Sequence, residues 1–204
     1  SLPVAIVSKL VSAYTLSDID QTGDDLISSN HLTLNGGVSA DGQSADFAAY
    51  SSVNYDFVPT MEFDSRAGTY MTLQHVLELN SKIAGFGRVW CDSAAAGKKT
   101  IFGEWNGSGN RSIRIQHDPS VPEITVQIKT DDSGVSTAAS SITENAWFSF
   151  GWVLDSGTLR LYIDGVEVDT ISYTGGGLND TTRTLLFGAG DGNFIGSMCN
   201  HCLF

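Results

Sequence analysis

Trp147-Phe-Ser-Phe-Gly-Trp-Val-Leu-Asp-Ser-Gly-Thr-Leu-Arg-Leu-Tyr-Ile-Asp-Gly-Val-Glu-Val168 is the stretch on which the fold turns. Phe148, Phe150, Trp152 and Leu154 alternate with Trp147, Ser149, Gly151 and Val153, so an extended chain here buries one apolar face. Asp155-Ser156-Gly157 reverses the chain. Leu159, Leu161 and Ile163 then alternate with Thr158, Arg160 and Tyr162, and Asp164-Gly165 supplies the positive φ angles of a two-residue hairpin before Val166, Val168 and Thr170. The segment from Trp147 to Tyr173 reads as a three-strand meander.

Working outward, the same period-two pattern predicts strands near Tyr70 to Leu73, Phe86 to Cys91, Thr100 to Trp105, Ser112 to His117, Ile124 to Lys129, Thr184 to Phe187 and Ser197 to Phe204. Ile124, Val126 and Ile128 share one face and Thr125, Gln127 and Lys129 the other, which predicts a solvated sheet face. Helical periodicity is absent beyond a single short turn over Val76 to Ser81. Strands without crossover helices must pair antiparallel and stack, so the expected fold class is all-β: an antiparallel two-sheet sandwich of the jelly-roll type. A chain of 204 residues fits one such unit and can bury a core without a staple. We expect residues 1–9 to form an arm or opening strand and residues 10–204 the sandwich.

With 11 Lys plus Arg against 23 Asp plus Glu, the formal charge is −12, a field that repels phosphate backbones and anionic lipid surfaces. No nucleic-acid or membrane partner is expected. Ser1-Leu-Pro-Val-Ala-Ile-Val-Ser-Lys9 fits neither a signal peptide nor a membrane span, and Ser1 is compatible with a removed initiator Met or with a cut from a longer protein. Three cysteines, Cys91, Cys199 and Cys202, are too few for a disulfide framework. Cys199-Asn-His-Cys202 has C-x-x-C spacing, but in an unbroken strand residues three apart point to opposite faces, which argues for structural cysteines over a metal site. A disulfide involving Cys91 stays open.

The meander also resembles the most recognisable segment of laminin-G-like, concanavalin A-like domains: a Trp-led strand, a D-x-G-type turn, and a strand ending in Y-[IV]-D-G. Met61-Glu-Phe-Asp-Ser65, Tyr70-Met-Thr-Leu73, Phe86-Gly-Arg-Val-Trp90 and Ile101-Phe-Gly-Glu-Trp105 are similar to further pieces of that pattern, in the same order. Ala13-Tyr-Thr-Leu16, Leu32-Thr-Leu-Asn-Gly36 and Phe194-Ile-Gly196 resemble its opening and closing segments. The resemblance implies a concanavalin A-like sandwich over about Leu10 to Phe204. It departs at the closing strand, where Ser-Met-Cys-Asn-His-Cys replaces the usual acidic pair.

A glycosidase needs two carboxylates about 5 to 10 Å apart, and Glu62 with Asp64 supplies only part of the usual three-acid signature. A polysaccharide lyase is faintly echoed by Gln116-His117 and by Gln127 with Lys129. Gly188-Ala-Gly-Asp-Gly192 reads as a turn, since a nucleotide loop would follow a parallel strand. The chain is therefore expected not to be an enzyme.

Two binding chemistries stand out. Calcium is the expected ion if any binds, because Asp18, Asp20 and Asp24 place oxygens at alternate positions around a glycine bend, although Ser29 stands where an EF-hand carries its last acid. Asp131-Asp132 is a second acidic loop. Carbohydrate would use Trp105 with Asn106, Asn110 and Arg111, an aromatic ring beside planar polar groups at a strand end. The family pattern places Trp90, Trp105 and Trp147 in the core. Asn106-Gly-Ser108, Asn110-Arg-Ser112 and Asn179-Asp-Thr181 are glycosylation sequons.

The resemblance further implies a surface decoration or fibre component of a tailed-phage virion, contacting other virion proteins or copies of itself as a homo-oligomer, with cell-surface glycans as ligands. The alternatives are a carbohydrate-binding module of a secreted enzyme or adhesin, and an atypical lyase or hydrolase.

Overall fold

The computed structural model describes residues 12–14, 32–35, 39–45, 58–63, 70–73, 82–94, 96–106, 110–130, 134–174, 178, 185–188, 194 and 196–203. The calcium candidates Asp18, Asp20 and Asp24, the pair Asp131-Asp132, the arm over residues 1–9 and the turn expected at Val76 to Ser81 lie outside them.

Among the described residues the chain is all strand, arranged as two antiparallel sheets. In chain order the strands are β1 (Ser12–Tyr14), β2 (Leu32–Asn35), β3 (Ser39–Ala45), β4 (Val58–Phe63), β5 (Tyr70–Leu73), β6 (Lys82–Cys91), β7 (Lys99–Asn106), β8 (Asn110–Asp118), β9 (Glu123–Lys129), β10 (Val135–Ser141), β11 (Trp147–Asp155), β12 (Thr158–Ile163), β13 (Val166–Ser172), β14 (Leu185–Phe187) and β15 (Gly196–Leu203). The first sheet runs β13-β12-β11-β6-β15-β4-β3, with β1 also on β15, and the second runs β10-β9-β8-β7-β14-β5-β2.

The meander predicted from Trp147 is β11-β12-β13. Both of its turns put two successive residues at positive φ, Ser156 at 44° with Gly157 at 97°, and Asp164 at 50° with Gly165 at 79°. Turns of that hand match the twist of the flanking strands. Burial in β11 alternates strictly, with Phe148, Phe150, Trp152 and Leu154 inside. They meet Ile113, Ile115, Ile124, Val126, Ile128, Phe102 and Phe187 of the second sheet in one core. Gly188 follows β14, which pairs antiparallel with both β5 and β7, so no parallel strand leads into it.

Two strands are matched neither by the period-two pattern nor by the family resemblance. Ser39–Ala45 (SADGQSA) and Val135–Ser141 (VSTAASS) carry mostly small and polar residues, yet pair with β4 and β9 respectively. Ladder hydrogen bonds from a neighbour supply what side-chain propensity does not. The outer edge of β10 is also covered: the Ala139 N–H donates to Asp169 Oδ2 of β13 at 2.9 Å, joining the two sheets at that side.

The C-x-x-C pair spans an irregularity in its strand. In β15, Cys199 pairs with Arg88 and Cys202 with Phe86, leaving two residues of β15 against Gly87 alone. This bulge sets the two cysteines, three apart in sequence, opposite residues only two apart on β6. It lies where β15 changes partner, from β4 at Gly196 to Met198 to β1 at His201 to Leu203. Cys91 is a free thiol, fully buried. Burial, reinforced by the negative charge of Glu144, pushes its pKa well above the ordinary thiol range.

Candidate functional site

The four residues expected to bind carbohydrate sit at the end of the β7–β8 hairpin, where Trp105 pairs with Arg111 and Asn106 with Asn110. The hairpin thus brings all four backbone positions into its last rungs. Trp105 itself is only 6% exposed, and the guanidinium carbon of Arg114 stands 4.3 Å from its ring centroid. A sugar could stack on that face of the indole only by displacing Arg114.

Arg114 opens a polar line that the sequence did not single out. Its Nε donates to Gln127 Oε1, and Gln127 Nε2 donates to Thr137 Oγ1 at 3.3 Å. Arg114 is in register with Gln127, and Gln127 with Thr137, so Trp105, Arg114, Gln127 and Thr137 step across β7, β8, β9 and β10 on the face away from the core. Gly103, opposite Arg114, lets the two strands come close there: a Cβ on it would meet Ile113 O at 2.6 Å. The line unites planar guanidinium and amide groups with a hydroxyl and an indole. The guanidinium, amide and hydroxyl are groups that satisfy sugar hydroxyls, while the indole lies buried beneath Arg114 and supports it.

The neighbouring row corrects the expectation of a solvated face at Thr125. Thr100, Gln116 and Thr125 lie in register across β7, β8 and β9, yet all are buried. The Gln116 amide turns to its neighbour, donating from Nε2 to Thr100 Oγ1 at 3.4 Å. Gln116 Oε1, Thr125 Oγ1 and, one rung beyond Arg114, Ser112 Oγ are buried without a hydrogen-bond partner. Outward alternation fixes which face a side chain takes, and leaves its exposure to be decided by what packs there.

His117 and Gln116, paired in the lyase reading, point to opposite faces. His117 is on the core side beside Ile124, fully buried, with Nε2 2.7 Å from Glu144 Oε1. A carboxylate only accepts, so Nε2 carries the proton, and Nδ1 is left buried and unpartnered. Burial holds the imidazole pKa below the ordinary histidine value, and the bond to Glu144 offsets part of that shift. Glu62 lies on β4 opposite Ser197, while Asp64 lies outside the described residues. No cluster of three His, Cys, Asp or Glu suited to a metal occurs among the described residues.

The tryptophans divide. Trp105 and Trp152 are buried, whereas Trp90 and Trp147 are only half-buried, paired with each other across β6 and β11 on the outer face. That corrects the expectation that Trp90 and Trp147 fill the core. Their strand parity, opposite to that of Val89 and Phe148, was the available signal.

Residues 68–200 match the family model described as the concanavalin A-like lectin/glucanases superfamily, laminin G type. No curated protein matches the sequence. Among solved structures, the botulinum neurotoxin serotype D ligand binding domain in complex with N-acetylneuraminic acid superposes with a TM-score of 0.73 at 10% identity, over 97% of this chain and 48% of that one. The botulinum neurotoxin DC binding domain in complex with SialylT gives 0.68 at 12% identity, over 97% and 48%. The botulinum neurotoxin type G receptor binding domain gives 0.67 at 10% identity, over 96% and 47%. The chain spans about half the length of each, and at these identities the likeness is one of fold.

Proposed function

Because the chain belongs to the concanavalin A-like lectin/glucanase superfamily, we propose that it is a non-catalytic recognition module that binds glycans through the outer face of its β7–β10 sheet. The observation that carries this reading is the Trp105–Arg114–Gln127–Thr137 line, a fixed row of sugar-compatible groups crossing four strands. The complexes of similar fold with N-acetylneuraminic acid and SialylT support the ligand class.

In the carrier we favour, the module sits on a tailed-phage virion surface, as a capsid decoration or fibre component, self-associates, and presents the sheet face to cell-surface glycans. The net charge of −12 suits a surface that avoids packaged nucleic acid and anionic lipid. If a calcium ion belongs to the module, Asp18, Asp20 and Asp24 would hold it through their carboxylate oxygens. A second reading, a carbohydrate-binding module within a larger secreted enzyme or adhesin, draws on the half-length match to the toxin domains.

The test is a glycan array probed with and without calcium, using the wild-type chain and Arg114→Ala. A saccharide class retained by wild type and bound at least about tenfold more weakly by the variant is expected, given about 1.4 kcal/mol per decade. No retained glycan, in the presence of calcium, would reject the reading. The mass of the intact assembly and the neighbouring genes distinguish the two carriers.

A further inference from the structure

The rim opposite the β7–β8 hairpin holds a groove of about 500 Å³ whose walls come from two connections, the β10–β11 link and the β12–β13 turn. Ser141 and Thr143 bring hydroxyls, Trp147 an indole, Ile163 an apolar floor and Asp164 a carboxylate. Ser141, Thr143 and Asp164 are exposed and Trp147 is half-buried, so the polar groups and the ring edge the opening together.

Both walls are fixed before any ligand arrives. In the first, Ile142 N–H donates to Pro122 O at 2.9 Å and Asn145 N–H to Cys91 O at 2.9 Å. The Asn145 side chain accepts from Ser93 N–H at 3.2 Å and donates to Ser93 Oγ at 2.8 Å. Glu144 is held by buried His117 at 2.7 Å. In the second wall, Asp164 and Ser149 exchange two hydrogen bonds of 2.8 Å. A link tied to both sheets, facing a turn tied to β11, loses little freedom on binding. Surface connections are not ordinarily anchored at so many points, and a preformed wall is what a binding site requires.

We propose that this groove is a second saccharide subsite, specific for uncharged sugars. Trp147 offers a face for stacking on pyranose C–H groups, while Asp164, Thr143 and Ser141 accept from and donate to ring hydroxyls. The space suits about two pyranose units, being within the range of small-ligand sites. Its charge sets the specificity. The groove lining contains a carboxylate and no cation, and the chain carries −12, so a uronate or sialic acid is repelled. Arg88 stands against the Trp147 ring, 6.0 Å from its centroid, but is buried and does not line the groove. The sheet face, with its guanidinium, has the opposite polarity. The subsite rests on the glycan-binding reading but on different residues, so the two can fail separately.

Saturation-transfer NMR with lactose, maltose and cellobiose, and with 3′-sialyllactose as the acidic counterpart, tests this on the full chain. Trp147→Ala removes the stacking face. Ala146→Trp fills the groove without deleting an aromatic, and thermal melts confirm that both variants fold. At least one neutral disaccharide is expected to bind wild type and to lose at least tenfold in affinity in both variants. Neutral binding that survives both variants, or a preference of the groove for the sialylated sugar, overturns the subsite. If Arg114→Ala alone abolishes binding, the sheet-face reading stands and the subsite falls. If wild type binds none of these sugars at millimolar concentration, with calcium present, the subsite falls, whereas the sheet-face reading falls only if the glycan array is also blank.

Discussion

Asp164 and Ser149 hold each other twice: the Asp164 N–H donates to Ser149 O at 2.8 Å, and Asp164 Oδ1 accepts from the Ser149 N–H at 2.8 Å. The aspartate occupies the left-handed region, φ 50°, at the first position of the β12–β13 turn. One residue thus shapes the turn and staples it to β11.

Asp164→Ala loses the side-chain bond and puts a less tolerant residue at positive φ, at a cost of about 1 to 2 kcal/mol. Asp164→Asn keeps an acceptor and the backbone preference, and should cost under about 0.5 kcal/mol. Urea denaturation of the two variants separates them, and equal losses would show that the staple is idle.

Burial divides the tryptophans of β11. Trp152 is 1% exposed in the core, so Trp152→Ala is expected to cost about 3 to 5 kcal/mol. Trp147, half-buried on the outer face, should cost about 1 kcal/mol on the same truncation. Comparable losses would mean that the layer assignment of the strand is wrong.

Acid should weaken the fold through His117. The unfolded chain takes up a proton near pH 6.5, whereas the buried imidazole resists it, so the folded state is favoured above that pH. Stability from this source falls as pH drops below about 6.5, by at most about 1.4 kcal/mol per unit, until the depressed native pKa is reached. Denaturant midpoints between pH 8 and pH 5 for wild type and His117→Gln check it. The His117→Gln curve should be flatter than the wild-type curve over this range if His117 is the cause.

Gly196 has φ 146°, and a Cβ there would sit 2.0 Å from Trp90 O. Gly196→Ala must shift the backbone of β15 or β6 and is expected to cost more than about 2 kcal/mol. Gly97, at φ 68° with nothing within 4 Å of an added Cβ, should cost only about 1 kcal/mol on the same change. Thermal melts compare them, and a tolerated Gly196→Ala would contradict the close approach of those strands.

Local chemistry wrote the fold plainly. Strict alternation in Trp147 to Leu154 and the Asp164-Gly165 turn specified β11, its hairpin and the inward face, because side-chain period and positive φ are properties of a few adjacent residues. Strands built of small polar residues, Val135–Ser141 above all, were silent, since their pairing energy comes from a neighbour.

The sites were a different matter. Sequence placed Trp105, Asn106, Asn110 and Arg111 at one hairpin end, and they are in register there. That Arg114 would cover the indole, that Gln127 and Thr137 would extend the line, and that Gln116 and His117 would part to opposite faces depended on strand order. The same holds for the register shift between Cys199 and Cys202, and for the tether between Glu144 and His117. Periodicity tells a residue which way to point; which partner it meets there is set by register between distant strands, a quantity that exists only once the sheets have formed.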